Sequence, residues 1–147
     1  MAIKRNATAV WRGTGLEGSG TVSGPSGVLN NTPYNFKGRF ENADGVSGTN
    51  PEELIAAAHA GCFNMALSFQ IAGAGYTADE LETTATLTLN QVENGFAITE
   101  IQLDLKGKVS GMDEAKFKEL AETAKVNCPV SKALSAVPIS LKISYSA

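Results

Sequence analysis

Two cysteines, Cys62 and Cys128, and a single histidine, His59, are the side chains of this chain most able to act as nucleophile, redox couple or soft metal ligand. Cys62 sits midway along the alanine-rich run "NPEELIAAAHAGCFNMALSFQ" (50–70), with His59 three residues before it; Cys128 stands in "KVNCPVSKAL". Three chemistries compete. Two unrelated buried cysteines are the ordinary outcome, because free cysteine is among the most buried residue types. A zinc site needs about four ligands at short spacings; the absence of a C-x-x-C and the lone histidine argue against any metal. The third is a redox pair or an activated nucleophile. Both cysteines fall on helix faces that point inward, so they can meet, and spacing alone leaves that open.

A reactive cysteine is a thiolate, and an ordinary thiol with a pKa of ~8.5 is only a few per cent ionised at pH 7. Cys62 lies about eleven residues, or ~16 Å, past its helix start, too far to use the positive helix end. Burial raises a thiol pKa further. A nucleophilic Cys62 therefore needs a cation from elsewhere. His59, at i−3 on a neighbouring face, can pair with the thiol as in a cysteine hydrolase, although a lone helical histidine is more often structural. Arginine stays charged even when buried, and the chain has three: Arg5, Arg12 and Arg39. A buried arginine wants a carboxylate, and Glu52 and Glu53 open the helix that carries Cys62.

The elements that must position these groups are legible in outline. "IKRNATAVW" (3–11) alternates as a strand, and the β-rich part runs to about residue 48, its hairpin-like strands ending near Phe40. It contains a formal G-x-G-x-x-G at Gly13, Gly15 and Gly18. A short strand and turn follow where a dinucleotide site needs a helix, so no phosphate loop is expected. A central helix is predicted over about 51–72. Asn50 can cap it, Pro51 fits its first position, Glu52 and Glu53 suit its positive end, and Gly73 and Gly75 stop it. It is apolar on nearly all sides and so predicts cover on nearly all sides, more than one 147-residue fold supplies. Residues 82–109 predict a β-hairpin with Asn94-Gly95 as its two-residue turn. A second helix begins near Asp113, with Phe117, Leu120, Ala121 and Ala124 as its apolar stripe; Cys128 continues that stripe and Pro129 breaks the helix. Residues 137–146 alternate as a final strand. This order predicts a single α+β domain, 1–147, with a mainly antiparallel sheet and a hairpin–helix–strand part over about 82–147.

Hydrophobic content of 43% and charge of 18% suit a folded domain, and a net charge of −3 with no basic run makes nucleic acid and acidic lipid poor partners. The N-terminal "MAIKRNATAVW" has no apolar core, which predicts no signal peptide and a cytoplasmic protein. Residues 54–72 are interrupted by His59, Asn64, Ser68 and Gln70 and read as a buried helix rather than a membrane span. In a reducing compartment two cysteines are more often free or redox-active than a structural staple, and the sequons at Asn6 and Asn30 are accidental.

The stretches "GTNPEELIAAAHAGCFNMALS" and "KVNCPVSKAL" together resemble the OsmC/Ohr family of bacterial organic hydroperoxide reductases. The likeness extends through "SGTVSGPSGVLNNTPYNFKGRFEN" and "NGFAITEIQLDLKGKV", almost the whole chain. It is nearer the osmotically inducible (OsmC) branch: the early loop "GTGLEGSG" lacks the arginine of the Ohr branch, and Arg39 stands in "FKGRFE". The resemblance implies an OsmC-like α+β fold, with mainly antiparallel sheets around a long central helix, in an intertwined homodimer. It implies that Cys62 is the peroxidatic cysteine and Cys128 the resolving one, with Arg39 and Glu52 completing the site. Glu52 is preferred to Glu53 because the family's carboxylate lies ten residues before the reactive cysteine. His59 is then structural.

The implied reaction is reduction of organic, and more weakly inorganic, hydroperoxides through a Cys62 sulfenic acid and a Cys62–Cys128 disulfide. No metal or cofactor is implied. A dithiol, possibly carried on a lipoylated protein, is the expected reductant. Phe63, Met65 and Phe69 are candidate walls for an alkyl tail, with a core role the commoner alternative for each. Glu52 and Cys62 are ~15 Å apart along one helix, so antiparallel crossing of two copies is expected to bring Glu52 of one to Cys62 of the other, over Ala56, Ala57, Ala58, Ala60 and Gly61. Two other classes remain: a cysteine hydrolase using Cys62 and His59, and a non-enzymatic stress protein with structural cysteines.

Overall fold

The structure, a computed structural model, describes residues 1–42 and 48–147; the end of the β-rich part assigned from sequence, 43–47, lies outside the described residues. The chain divides into two compact units, Met1–Leu54 and Ile55–Ala147.

The first unit is an antiparallel meander of β1 (Thr8–Arg12), β2 (Ser19–Ser23) and β3 (Thr32–Tyr34). β1 starts five residues later than the alternation predicts, and every residue in it is exposed. The rings of Trp11 and Tyr34, 5.3 Å between centroids, meet across Gly20, where any Cβ would strike both. The glycine-rich run is the β1–β2 loop. Its Thr14 carbonyl accepts from Gly18 N–H and Trp11 Nε1–H, and a strand follows it, as the sequence predicts. Strand pairing ends at Tyr34, earlier than Phe40. One π-helical turn, Lys37–Glu41, follows, held by Asn35, whose side chain accepts from Gly38 N–H and whose carbonyl accepts from Arg39 N–H.

Helix α1 (Pro51–Gly73) begins in the first unit and continues through the second. Asn50 Oδ1 accepts Glu53 N–H at 2.8 Å, and Pro51 occupies the first turn, where its missing N–H costs nothing. Gly75, at φ +90°, lets the chain turn back so that Tyr76 N–H reaches the Ile71 carbonyl.

In the second unit β4 (Glu80–Val92) and β5 (Gly95–Lys108) form a hairpin, and β6 (Ile139–Ser146) pairs with β5. Val92 pairs with Gly95, so the two-residue turn is Glu93-Asn94, one residue earlier than expected; Gly95 takes the strained φ of +131° that follows it. β6 runs parallel to β5, so only part of this sheet is antiparallel. Helix α2 (Glu114–Asn127) starts at Asp113, whose side chain accepts Lys116 N–H, and buries the predicted stripe Phe117, Leu120, Ala121 and Ala124. A short helix, α3 (Pro129–Ala133), follows directly. Pro129 ends α2 as expected but also occupies the first turn of α3.

One core cluster joins Phe63, Leu67 and Ile71 of α1, Ile101, Leu103 and Leu105 of β5, and the α2 stripe. Full burial of each such Leu, Ile or Phe contributes roughly 1.5–3 kcal/mol. By length and composition α1 is apolar enough to span a membrane, yet its stripe His59, Phe63, Leu67 and Ile71 is buried in the protein core. Cover on nearly all sides is not what the chain provides: Ala57, Ala58, Gly61, Met65, Ser68, Phe69 and Ala72 remain exposed. Phe63 is thus a core residue, while Met65 and Phe69 are 65% and 71% exposed.

Candidate active site

Cys62 is one residue away from the buried stripe of α1, so its side chain is half-buried against the core edge. Cys128 caps the C-terminus of α2; its N–H bonds the Ala124 carbonyl, which closes the last turn and leaves the thiol fully buried. These placements bring the two sulfurs to 2.9 Å, with Cys128 S–H donating to Cys62 and both thiols free. A disulfide needs ~2.05 Å, so a closure of less than about 1 Å would join them. Burial pushes the Cys62 thiol above its ordinary pKa, its interaction with the neighbouring Cys128 adds to that, and the Val130 backbone N–H works the other way. These surroundings within the second unit disfavour the thiolate.

Of the candidate cations, Arg39 is paired with a carboxylate in the first unit. Arg39 leaves the π-helical turn and meets Glu52, in the first turn of α1, through Nη2–Oε1 at 2.8 Å and Nε to both carboxylate oxygens at 3.2 and 3.3 Å. The fork is two-pronged and fixes the plane of the guanidinium. The Phe40 ring lies 4.9 Å below the guanidinium carbon. Glu53 is otherwise engaged, accepting from Thr49 Oγ1 at 2.8 Å. Arg5, one of the other two arginines, bonds the Lys4 carbonyl. Thr14, Gly15, Leu16, Glu17, Phe36 and Phe40 line an open, mainly apolar hollow of about 640 Å3 in the same unit as Arg39.

His59 does not bond Cys62. Its Nε2 lies 2.7 Å from Ser131 Oγ on α3, and both residues are buried. Its Nδ1 has no hydrogen-bond partner among the described residues, and burial lowers its pKa. Among the described residues no group of three or more His, Cys, Asp or Glu side chains is placed to hold a metal. Sequence reasoning missed Ser131 and the Val130 N–H. The signal was Pro129 itself, which marks a first helical position as readily as a helix end.

Paired free thiols, one half-exposed, suit reversible oxidation to a disulfide, and a clamped guanidinium suits stabilisation of developing negative charge. Residues 43–143 match the OsmC-like protein family. "Peroxiredoxin OsmC" of Escherichia coli (strain K12) is 49% identical over 136 residues, covering 92% of this chain and 93% of that protein. The crystal structure of "Organic Hydroperoxide Resistance Protein OhrB" of Bacillus subtilis superposes with a TM-score of 0.69 at 29% identity, over 95% of this chain and 98% of that one. An OsmC-like protein from Mycoplasma pneumoniae gives 0.76 at 18% identity over both full chains, a likeness of fold alone.

Proposed function

The chain belongs to the OsmC-like family, and from that premise we propose that it is a two-cysteine thiol peroxidase that reduces organic hydroperoxides, and inorganic ones more slowly, in bacterial stress defence. The 2.9 Å contact between the free thiols of Cys62 and Cys128 carries the proposal. The Cys62 thiolate attacks the peroxide: an S–O bond forms, the O–O bond breaks, and the alkoxide takes a proton and leaves as an alcohol. Cys128 then attacks the sulfenic sulfur; the S–S bond forms and the hydroxyl leaves as water. A dithiol, free or on a lipoylated protein, restores both thiols by exchange. Arg39, oriented by Glu52, stabilises the thiolate and the charge on the departing oxygen. The hollow beside Leu16, Phe36 and Phe40 suits an alkyl tail. Two free thiols fit a reducing, cytoplasmic setting.

The working unit is a homodimer. Glu52 and Cys62 are ten residues, ~15 Å, apart on α1, so the Arg39–Glu52 pair serves the Cys62 of a second copy. The exposed stripe Ala57, Ala58, Gly61, Met65, Phe69 and Ala72 is the surface on which two α1 helices cross. Among the described residues, apart from its own helix backbone, nothing lies within 4 Å of a Cβ built on Gly61, so packing within the chain does not demand glycine there; close approach of a second helix does. The hydrolase alternative needs His59 on the Cys62 thiol, whereas its Nε2 is taken by Ser131.

The test is peroxide consumption with dihydrolipoamide and, separately, glutathione as reductant. Dithiol-supported turnover, faster with cumene hydroperoxide than with hydrogen peroxide, is expected. Absence of turnover with every thiol reductant and both peroxides contradicts the assignment.

A further inference from the structure

Ser131 stands three residues after Cys128, and His59 three residues before Cys62. The His59–Ser131 and Cys62–Cys128 contacts are therefore adjacent, antiparallel rungs between α1 and the start of α3, at 2.7 and 2.9 Å. α3 has five residues and no side-chain cap bond, too short to be stable by itself. Cys128 S–H and Ser131 Oγ tie it to α1. The first tie ends on the Cys62 sulfur, the atom that changes when it is oxidised; the second does not. The histidine is also kept at a cost to stability. Among the described residues its buried Nδ1 has no partner, which is unfavourable, and an apolar side chain of similar size avoids the penalty.

We propose that the His59–Ser131 hydrogen bond is a positioning pair for the resolving step, holding α3 on α1 so that the Cys128 thiol stays in reach of Cys62 once the sulfenic acid has formed. In that step Cys128 sulfur attacks Cys62 sulfur, the S–S bond forms, the S–O bond breaks, and the hydroxyl leaves with the Cys128 proton as water. Neither His59 nor Ser131 touches the peroxide. The role rests on the peroxidase assignment; the hold on Cys128 does not, and can be read without peroxide.

The first readout is the equilibrium of the Cys62–Cys128 disulfide against reduced and oxidised dithiothreitol. Loss of one such hydrogen bond lowers the effective concentration of the two thiols about tenfold in Ser131→Ala and in His59→Leu, the double variant being no lower than either single one. Ser131→Thr and His59→Gln, which keep a hydroxyl and a nitrogen at the rung, stay within about threefold of wild type. The second readout is quenched-flow mass spectrometry with cumene hydroperoxide. In Ser131→Ala sulfenic acid forms at the wild-type rate, while closure to the disulfide slows about tenfold and sulfinic acid accumulates. Should His59→Leu not fold by circular dichroism, Ser131→Ala, which deletes one oxygen, decides. A folded Ser131→Ala with the wild-type equilibrium overturns the proposal. A shifted equilibrium in a protein whose wild type ignores peroxide upholds the positioning pair and overturns only the peroxidase assignment.

Discussion

Arg39→Met keeps most of the apolar stem and removes the charge. The surroundings of Cys62 in its own unit push the thiol above its ordinary value, burial first. Burial and the neighbouring thiol already disfavour the thiolate, so removing a cation lowers the thiolate fraction at pH 7. The more basic thiolate is intrinsically a better nucleophile, which returns part of that loss. Withdrawing positive charge from the departing oxygen adds about two orders of magnitude. Arg39→Met is thus expected to react about 10²–10³ times more slowly at pH 7. Its pH profile differs too: without the cation it is displaced to higher pH than its parent's. The assay is stopped-flow loss of the Cys62 thiol with cumene hydroperoxide from pH 6 to 9.5, in a Cys128→Ser background so that one thiol reports. A variant within threefold of its parent, with the same pH profile, refutes the assignment of Arg39 as the cation.

Gly61→Lys tests the proposed dimer. In an isolated helix it is stabilising by about 0.5–1 kcal/mol, whereas at a crossing of two α1 helices it expels the partner, so sedimentation is expected to show monomer and the Cys62 rate to fall with it. Gly107→Ala places a methyl in the Phe117 ring, which is buried and stacked on Tyr145 at 4.4 Å, and is expected to cost about 1–3 kcal/mol in urea denaturation. His59 gives a stability slope of known sign. Burial lowers its folded pKa below the unfolded 6.5, so the unfolded chain takes up the proton first and stability is lost as pH falls from 6.5 toward the folded value. It is the sole histidine, so His59→Gln is expected to flatten stability between pH 6.5 and 5.5.

What was legible in the sequence follows the range of the interactions. The start of α1 at Asn50-Pro51 and the α2 stripe are local patterns, and both stand where spacing puts them. Direction is not local: alternation marks β6 as a strand but carries no sign of its parallel pairing with β5. The hairpin turn slipped by one because glycine's freedom serves the residue after the turn as well as the turn itself. α3 is too short to show a period, and His59–Ser131 joins residues 72 apart with no local signal. Spacing turned Cys62 and Cys128 inward; only the folded chain shows that the sulfurs touch. Arg39 was singled out by family resemblance, and its partner emerged as Glu52 rather than Glu53.

Intact-protein mass spectrometry after one equivalent of cumene hydroperoxide tests the central claim most directly, with reduced wild type, Cys62→Ser and Cys128→Ser side by side. Loss of two hydrogens in wild type, gain of one oxygen in Cys128→Ser and no fast change in Cys62→Ser are predicted. Three unreactive proteins, or oxidation that does not depend on Cys62, contradict a cycle in which Cys62 meets the peroxide and Cys128 closes the disulfide.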